Sequence, residues 1–279
     1  MDKQPRKTIL DAYRCALMFG ICLLHAVTQG GYSISMAANL LSWCVTGFAF
    51  ISGWFGMRFS LRKVLVLYLT SIYCSVAFVA FDKLLMSETT TLSIQYLWSI
   101  AFGQWYLNAY IVLMCITPLV NMNFEFIKLM PWDKQKKIML GILLPLWFCV
   151  CVWAFGTTLP FIGKYLPSTS GLNAYSFLTL LCAYVTARMV RIFDNQGKLI
   201  FLKKFKKQFV AVLVGAFALM SFGFNDYNSP CCFIVSFGVL FLIKDGVIPN
   251  IYGKICLWIA PSMFSIYLLH SHGYAWKYF

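Results

Sequence analysis

The sequence predicts an all-α, polytopic membrane bundle of about nine to ten transmembrane helices with its N-terminus in the cytoplasm. Three observations carry that expectation. Of the 279 residues, 61% are hydrophobic and 11% are charged, against about 25% charged in an ordinary soluble domain. Mean hydropathy is +0.75. The basic residues are not spread evenly but gather in alternate loops between apolar runs, the pattern that sets membrane orientation.

In chain order, the apolar runs predict spans near 10–28, 35–57, 61–81, 97–121, 137–157, 171–192, 208–224, 229–243 and 254–275. Each has the roughly 20 residues a helix needs to cross the hydrocarbon core, or falls slightly short of it. The segment 92–103 is aromatic and only moderately apolar, which fits a re-entrant or interfacial stretch anchored by Tyr96 and Trp98. The closing Trp276-Lys277-Tyr278-Phe279 reads as an interfacial anchor.

One set of loops is basic: Lys3, Arg6 and Lys7; Arg58, Arg62 and Lys63; Lys128, Lys134, Lys136 and Lys137; Lys198 to Lys207 flanked by Arg188 and Arg191; then Lys244 and Lys254. The intervening loops are nearly neutral or acidic, with Asp82, Glu88 and Asp226. The first span carries Arg14 and His25 and no small-residue cleavage site, so it reads as a retained span rather than a removed signal peptide. The polar stretches are too short for a separate soluble domain, and residues 1–279 read as a single domain.

The net charge of +14 raises the question of nucleic acid. Its confinement to inter-span loops argues against that partner and for anionic lipid head groups. The eleven cysteines lie mostly inside apolar runs and show no metal-ligand spacing, so no metal is expected and they read as small buried hydrophobes.

The chemistry-bearing feature is on the first span. Eleven steps separate Arg14 from His25, which returns to within about 20° of the same helix face and rises roughly 16 Å. Asp11 lies one turn before Arg14 on nearly the same side. Ionisable groups aligned on one face of a membrane helix are costly unless they face a polar interior, and they mark a functional site by default. On the predicted topology Arg14 lies toward the cytoplasmic half and His25 toward the outer half, with Tyr267 and His270 also toward the outer side.

Four segments then resemble the integral-membrane acyltransferases of the acyltransferase-3 type, and they span the chain. Arg14 and His25, with ten residues between them, match that family's arginine–histidine signature. Phe48-Ala-Phe-Ile-Ser52-Gly53 is similar to its aromatic segment ending in Ser-Gly. Gln104-Trp105-Tyr106-Leu107, with Pro118 closing the span, is similar to its Trp-Phe-Leu segment. Ser262-Met-Phe-Ser265-Ile-Tyr267-Leu-Leu-His270 resembles its Ser-Tyr-x-x-Tyr-Leu-x-His motif. There are departures: Gln104 stands where many members have histidine, Phe264 where tyrosine is usual, and the chain ends soon after the last motif, which reads as a shortened C-terminus.

The resemblance implies an O-acyltransferase of the bacterial cytoplasmic membrane. Such an enzyme moves an acyl group, usually acetyl, from cytoplasmic acyl-coenzyme A to a hydroxyl of an extracytoplasmic or lipid-linked envelope glycan. The donor is a substrate, and no bound cofactor is implied. A hydroxyl needs a base at neutral pH, and histidine has the only unperturbed side-chain pKa near it, at about 6.5. His25 is the expected base, acting on the acceptor directly or by taking the acyl group first. Arg14 is expected to meet the donor's phosphates or its thioester carbonyl, with Asp11 orienting it.

Arg58, Arg62 and Lys63 would extend the donor-docking surface, Trp105 and Tyr106 would line the acceptor path, and Tyr267 and His270, at i,i+3, would share a face and help bind the substrate, with His270 the second candidate for proton transfer or positioning. Ser52 and Gly53 would support the site. Each assignment competes with a plainer one. Arg14 could snorkel to the interface, His25 could link helices, and Ser52 and Gly53 could simply allow close packing. Trp105 and Tyr106 could belong to an aromatic belt, and Arg58, Arg62 and Lys63 could only set topology. Two other functions compete with the enzyme: a transporter or flippase for a lipid-linked sugar, and an inactive shortened relative. A transporter more often shows internal repeats and intramembrane acids, and here Asp11 is the one acid clearly within a span.

Overall fold

The computed structural model describes residues 8–29, 35–86, 105–158, 177–223, 229–247 and 249–270. These residues form helices joined by short turns, with no strand among them. In chain order they are α1 (Thr8–Gln29), α2 (Ser35–Leu41), α3 (Trp43–Phe55), α4 (Leu61–Met86), α5 (Trp105–Lys128), α6 (Trp132–Thr158), α7 (Phe177–Asn195), α8 (Ile200–Lys204), α9 (Lys206–Ser221), α10 (Pro230–Ile243), α11 (Asn250–Ile259) and α12 (Met263–His270). A single 3₁₀ turn, Ala260–Ser262, joins the last two.

The central element is α3. Its sequence is apolar or small all round, and Cys44, Val45, Thr46, Gly47, Ala49, Phe50, Ile51, Gly53 and Trp54 are all buried. A helix without a polar face must be enclosed on every side. Here α7, α10 and α1 pack around it. Small residues allow the close approach: a Cβ on Gly20 of α1 would fall 2.4 Å from Cys44 Sγ, and one on Gly47 would fall 2.8 Å from a Leu17 methyl. α12 packs against α1 and α4, and α5 and α6 against α7.

The outer surface is apolar as well. On α4, Leu65, Val66, Leu69, Ile72, Tyr73 and Val76 are exposed, and α5 and α9 likewise present Val112, Leu119, Val212 and Val214. Soluble proteins do not expose apolar surface on this scale. Among the described residues, four segments are long and apolar enough to cross a membrane: Thr8–Thr28, Met36–Phe55, Leu61–Phe81 and Trp105–Lys128. The chain is therefore an integral membrane protein built from helices.

Several expected spans differ from the helices in instructive ways. The run 35–57 is two helices broken at Ser42, whose hydroxyl donates to the Asn39 carbonyl at 2.9 Å and sits 3.6 Å from Cys232 Sγ. The run 254–275 breaks at the 3₁₀ turn that contains Pro261. The expected stop at Pro118 does not occur, and α5 continues to Lys128. Proline removes the N–H that would bond the carbonyl four residues back. That carbonyl, Met114 O, instead accepts from the Thr117 hydroxyl at 2.8 Å. The aromatic stretch 92–103, the acidic loop at Glu88 and the C-terminal anchor lie outside the described residues.

The basic loops come together at one end of the bundle. Arg14 near the start of α1 reaches Phe55 at the end of α3. Arg188 near the end of α7 reaches Glu125 near the end of α5, and Lys244 after α10 holds Asp194 of α7. Thr8 of α1 lies beside Gly253 of α11. Alternate chain ends thus share one face, as the alternation of charge requires.

Candidate functional site

The polar groups form two constellations separated along α1. At the charged end, Arg14 Nη1 pairs with Asp11 Oδ1 at 3.5 Å across one helical turn. Asp11 is buried, whereas Arg14 is about a third exposed at 33%. The Arg14 guanidinium also lies 4.7 Å from the centre of the Phe55 ring, an attraction worth on the order of 1 kcal/mol. The pair is the one expected from the i,i+3 spacing, and it fixes Arg14 against the end of α3.

That end of α3 is itself braced. Gly56 takes the left-handed conformation, φ +76°, and its N–H caps the helix by donating to the Ser52 and Gly53 carbonyls at 3.1 and 3.2 Å. The next residue is clamped on both backbone groups. Met57 N–H donates to the Tyr184 hydroxyl at 3.0 Å, and Met57 O accepts from Asn121 Nδ2 at 2.8 Å. Tyr184 closes the triangle by donating to Asn121 Oδ1 at 2.9 Å. One turn of backbone, one tyrosine of α7 and one asparagine of α5 thereby set where the α3–α4 turn sits. Tyr184→Phe is expected to lower stability by about 1–2 kcal/mol, because it strands the Met57 N–H and an Asn121 lone pair. Thermal unfolding of the purified protein in detergent measures it.

Arg58, Arg62 and Lys63 follow this turn and are exposed. Ser52 and Gly53 take the packing role. The Ser52 hydroxyl donates to the Phe48 carbonyl at 2.9 Å within its own helix. A Cβ on Gly53 would fall 2.3 Å from the Tyr184 carbonyl oxygen, so this glycine lets α3 lie against the backbone of α7.

Toward the other end of α1 the groups are aromatic. Tyr106 of α5 meets Trp105 edge-on at 5.4 Å, stacks with Tyr110 at 6.1 Å and contacts Tyr267 of α12 at 5.5 Å. Trp105, Tyr106 and Tyr267 are therefore brought together from segments 160 residues apart in sequence. The Tyr106 hydroxyl is buried and finds no hydrogen-bond partner among the described residues. A buried donor in that state is unusual in a protein interior and common where a ligand completes the bonding. α12, which carries Tyr267, packs against α1, which carries the half-buried His25. Thr28 holds the end of the His25 turn, its hydroxyl donating to the Leu24 and His25 carbonyls at 2.9 and 3.3 Å. His270 is the last residue of α12, and its side chain lies outside the described residues, as do Gln104 and His272.

Two residues read only as topological charge belong to the first constellation. Arg188 and Arg191, one turn apart on α7, both reach the end of α3. A Cβ on Gly56 would fall 2.6 Å from Arg188 Nη1, and Arg191 lies 4.8 Å from the centre of the Trp54 ring. Their i,i+3 spacing inside an apolar span was the signal available in the sequence.

A helical bundle with an apolar outer face and two groups of polar and aromatic side chains along α1 defines an integral membrane protein. A family model described as an acyltransferase domain matches residues 8–276. The chain belongs to the acyltransferase-3 family and is a membrane acyltransferase. No curated protein and no solved structure matches it.

Proposed function

We propose that the protein is an O-acyltransferase that moves an acetyl group from acyl-coenzyme A to a hydroxyl of an envelope glycan or lipid-linked sugar. It would act in the cytoplasmic membrane of a bacterium, with the face that carries Arg14 toward the cytoplasm. The observation that carries this reading is the division of α1. Its first turns hold a fixed guanidinium at the basic end of the bundle, and its far turns bring His25 to the helix that carries Tyr267. An anionic thioester donor suits the first end, and a sugar, which stacks on aromatic rings, suits the second.

In the direct route the acceptor oxygen attacks the thioester carbonyl carbon while His25 takes the hydroxyl proton. The carbon–sulfur bond then breaks, and the thiolate leaves and regains a proton. In the relayed route the imidazole attacks the thioester first and expels the thiolate, and the hydroxyl then displaces the acyl group as its proton passes to the released imidazole. The Tyr106 hydroxyl, without a hydrogen-bond partner among the described residues, lies on the aromatic side and is suited to hold an acceptor oxygen.

Transfer of labelled acetyl from acetyl-coenzyme A in purified membranes tests the reading. Label entering a glycan or lipid fraction supports it. Absence of transfer with acceptor present turns the assignment toward a transporter of a lipid-linked sugar or an inactive relative. In the same assay Arg14→Ala is expected to reduce kcat/KM for the donor by roughly 10- to 100-fold, the value of a hydrogen bond to a charged group. Arg14→Lys should fall between, since it keeps the charge and loses the planar fork.

A further inference from the structure

We propose that Arg188 and Arg191 of α7 complete, with Arg14, a phosphate-binding face around the C-terminal end of α3 that holds the nucleotide phosphates of the donor. The proposal rests on the acyl-coenzyme A reading above and adds to it two residues from a different helix. Three consecutive residues end α3 and its cap, and an arginine lies over each: Arg191 over the Trp54 ring at 4.8 Å, Arg14 over the Phe55 ring at 4.7 Å, and Arg188 over the backbone of Gly56.

The clustering has a local cause and an unspent surplus. The last carbonyls of a helix carry partial negative charge that attracts cations, and aromatic faces add to it. These forces gather the guanidinium groups, and on Arg188 they leave a buried donor unspent among the described residues. Asp11 pairs with Arg14, and the other carboxylates nearby are shared with ammonium groups. Asp194, one turn beyond Arg191, is held by Lys244 at 2.8 and 2.9 Å, and Asp245 by the same ammonium at 3.1 Å. Glu125, 61% exposed, meets Arg188 Nη2 only at 3.5 Å and is shared with Lys128. Arg188 Nε is buried and finds no hydrogen-bond partner among the described residues. A guanidinium has five N–H donors in a fixed fork that matches phosphate oxygens.

Geometry also places the cluster correctly for such a ligand. Gly56 leaves its backbone open where any side chain would collide with Arg188. The Met57–Tyr184–Asn121 triangle keeps the α3–α4 turn fixed beneath. Arg58, Arg62 and Lys63 continue the positive surface outward from that turn. A ligand with several phosphates and a long uncharged arm fits this arrangement. Its phosphates would lie at the arginines.

The test compares donors that differ in phosphate. Equilibrium binding of acetyl-coenzyme A, 3′-dephospho-acetyl-coenzyme A and S-acetylpantetheine is measured with the purified full chain in nonionic detergent. The variants are Arg188→Gln, Arg191→Gln and Arg188→Lys. The gain in wild-type affinity from S-acetylpantetheine to acetyl-coenzyme A should shrink by roughly ten- to a hundred-fold in either glutamine variant. S-Acetylpantetheine binding should stay unchanged, and Arg188→Lys should retain part of the gain. If Arg188→Gln fails to accumulate, Arg191→Gln and Arg188→Lys carry the comparison.

Equal weakening toward all three donors would mark a structural role and overturn the proposal, as would no weakening at all. A wild type that binds every phosphate-bearing donor while the variants match it sinks this inference alone. A wild type that binds none of them removes the acyl-coenzyme A reading itself. Repeating the measurement in nanodiscs with and without phosphatidylglycerol separates the remaining source of phosphate. An arginine dependence seen only with the anionic lipid assigns the face to head groups instead and overturns the donor assignment.

Discussion

His25→Ala is expected to abolish acetyl transfer while leaving a folded protein in the membrane. The imidazole is half-buried on α1, and the core of the bundle is built from apolar side chains around it. As a general base it would contribute roughly 10²- to 10⁴-fold, and as an acyl carrier its removal would leave no route at all. Labelled acetyl-coenzyme A and membranes matched for protein content give the comparison. Omitting the acceptor separates the two roles. Label retained on the wild-type chain and absent from His25→Ala marks a relay through the imidazole, whereas an unlabelled chain that still transfers to acceptor marks direct attack. Undiminished transfer by His25→Ala removes His25 from the chemistry and would leave Tyr106, whose buried hydroxyl has no hydrogen-bond partner among the described residues, as the residue to substitute next.

The parts of this architecture that depend on one-dimensional patterns were legible in the sequence. The apolar runs located most helices to within a few residues, because burial in lipid demands a continuous stretch whatever surrounds it. The Asp11–Arg14 pair was legible because helix geometry alone brings i and i+3 together. The meeting of Trp105 and Tyr106 with Tyr267 rested on resemblance rather than on spacing, since no local rule joins residues that far apart. The interruptions at Ser42 and before α12 were invisible to hydropathy, which averages over a single hydroxyl or proline. The continuation of α5 past Pro118, where the Thr117 hydroxyl takes up the Met114 carbonyl, had no signal in the apolar run. Arg188 and Arg191 show the same limit in the functional site. Charge at the end of a span has a sufficient topological explanation, and only the folded bundle puts these two over the residues that also receive Arg14.

Gly53→Ala is expected to be among the most damaging single substitutions in the chain, although it adds one methyl group in a helix where alanine is intrinsically favoured by about 1 kcal/mol. The added Cβ would lie 2.3 Å from the Tyr184 carbonyl oxygen, 2.8 Å from its Cα and 2.9 Å from the Ala187 Cβ. Two of these atoms are backbone, so no rotamer change relieves the clash. α3 and α7 would have to separate along the contact on which the core is built. Overpacking of a well-filled core costs typically ~1–3 kcal/mol, and a backbone collision belongs at or above the top of that range. The effect would also reach the site. Tyr184 and Arg188 are on the displaced helix, so the Met57 clamp and the arginine over Gly56 would move with it, and donor binding should fall even in whatever fraction folds. Gly141→Ala on α6 and Gly215→Ala on α9 are the controls, since a Cβ at either meets nothing within 4 Å, and both should be neutral or slightly stabilising. Thermal unfolding of the four proteins in one detergent decides the matter. A Gly53→Ala protein as stable as wild type would mean that α3 and α7 do not touch backbone to backbone, and the placement of Arg188 and Arg191 would have to be abandoned with that contact.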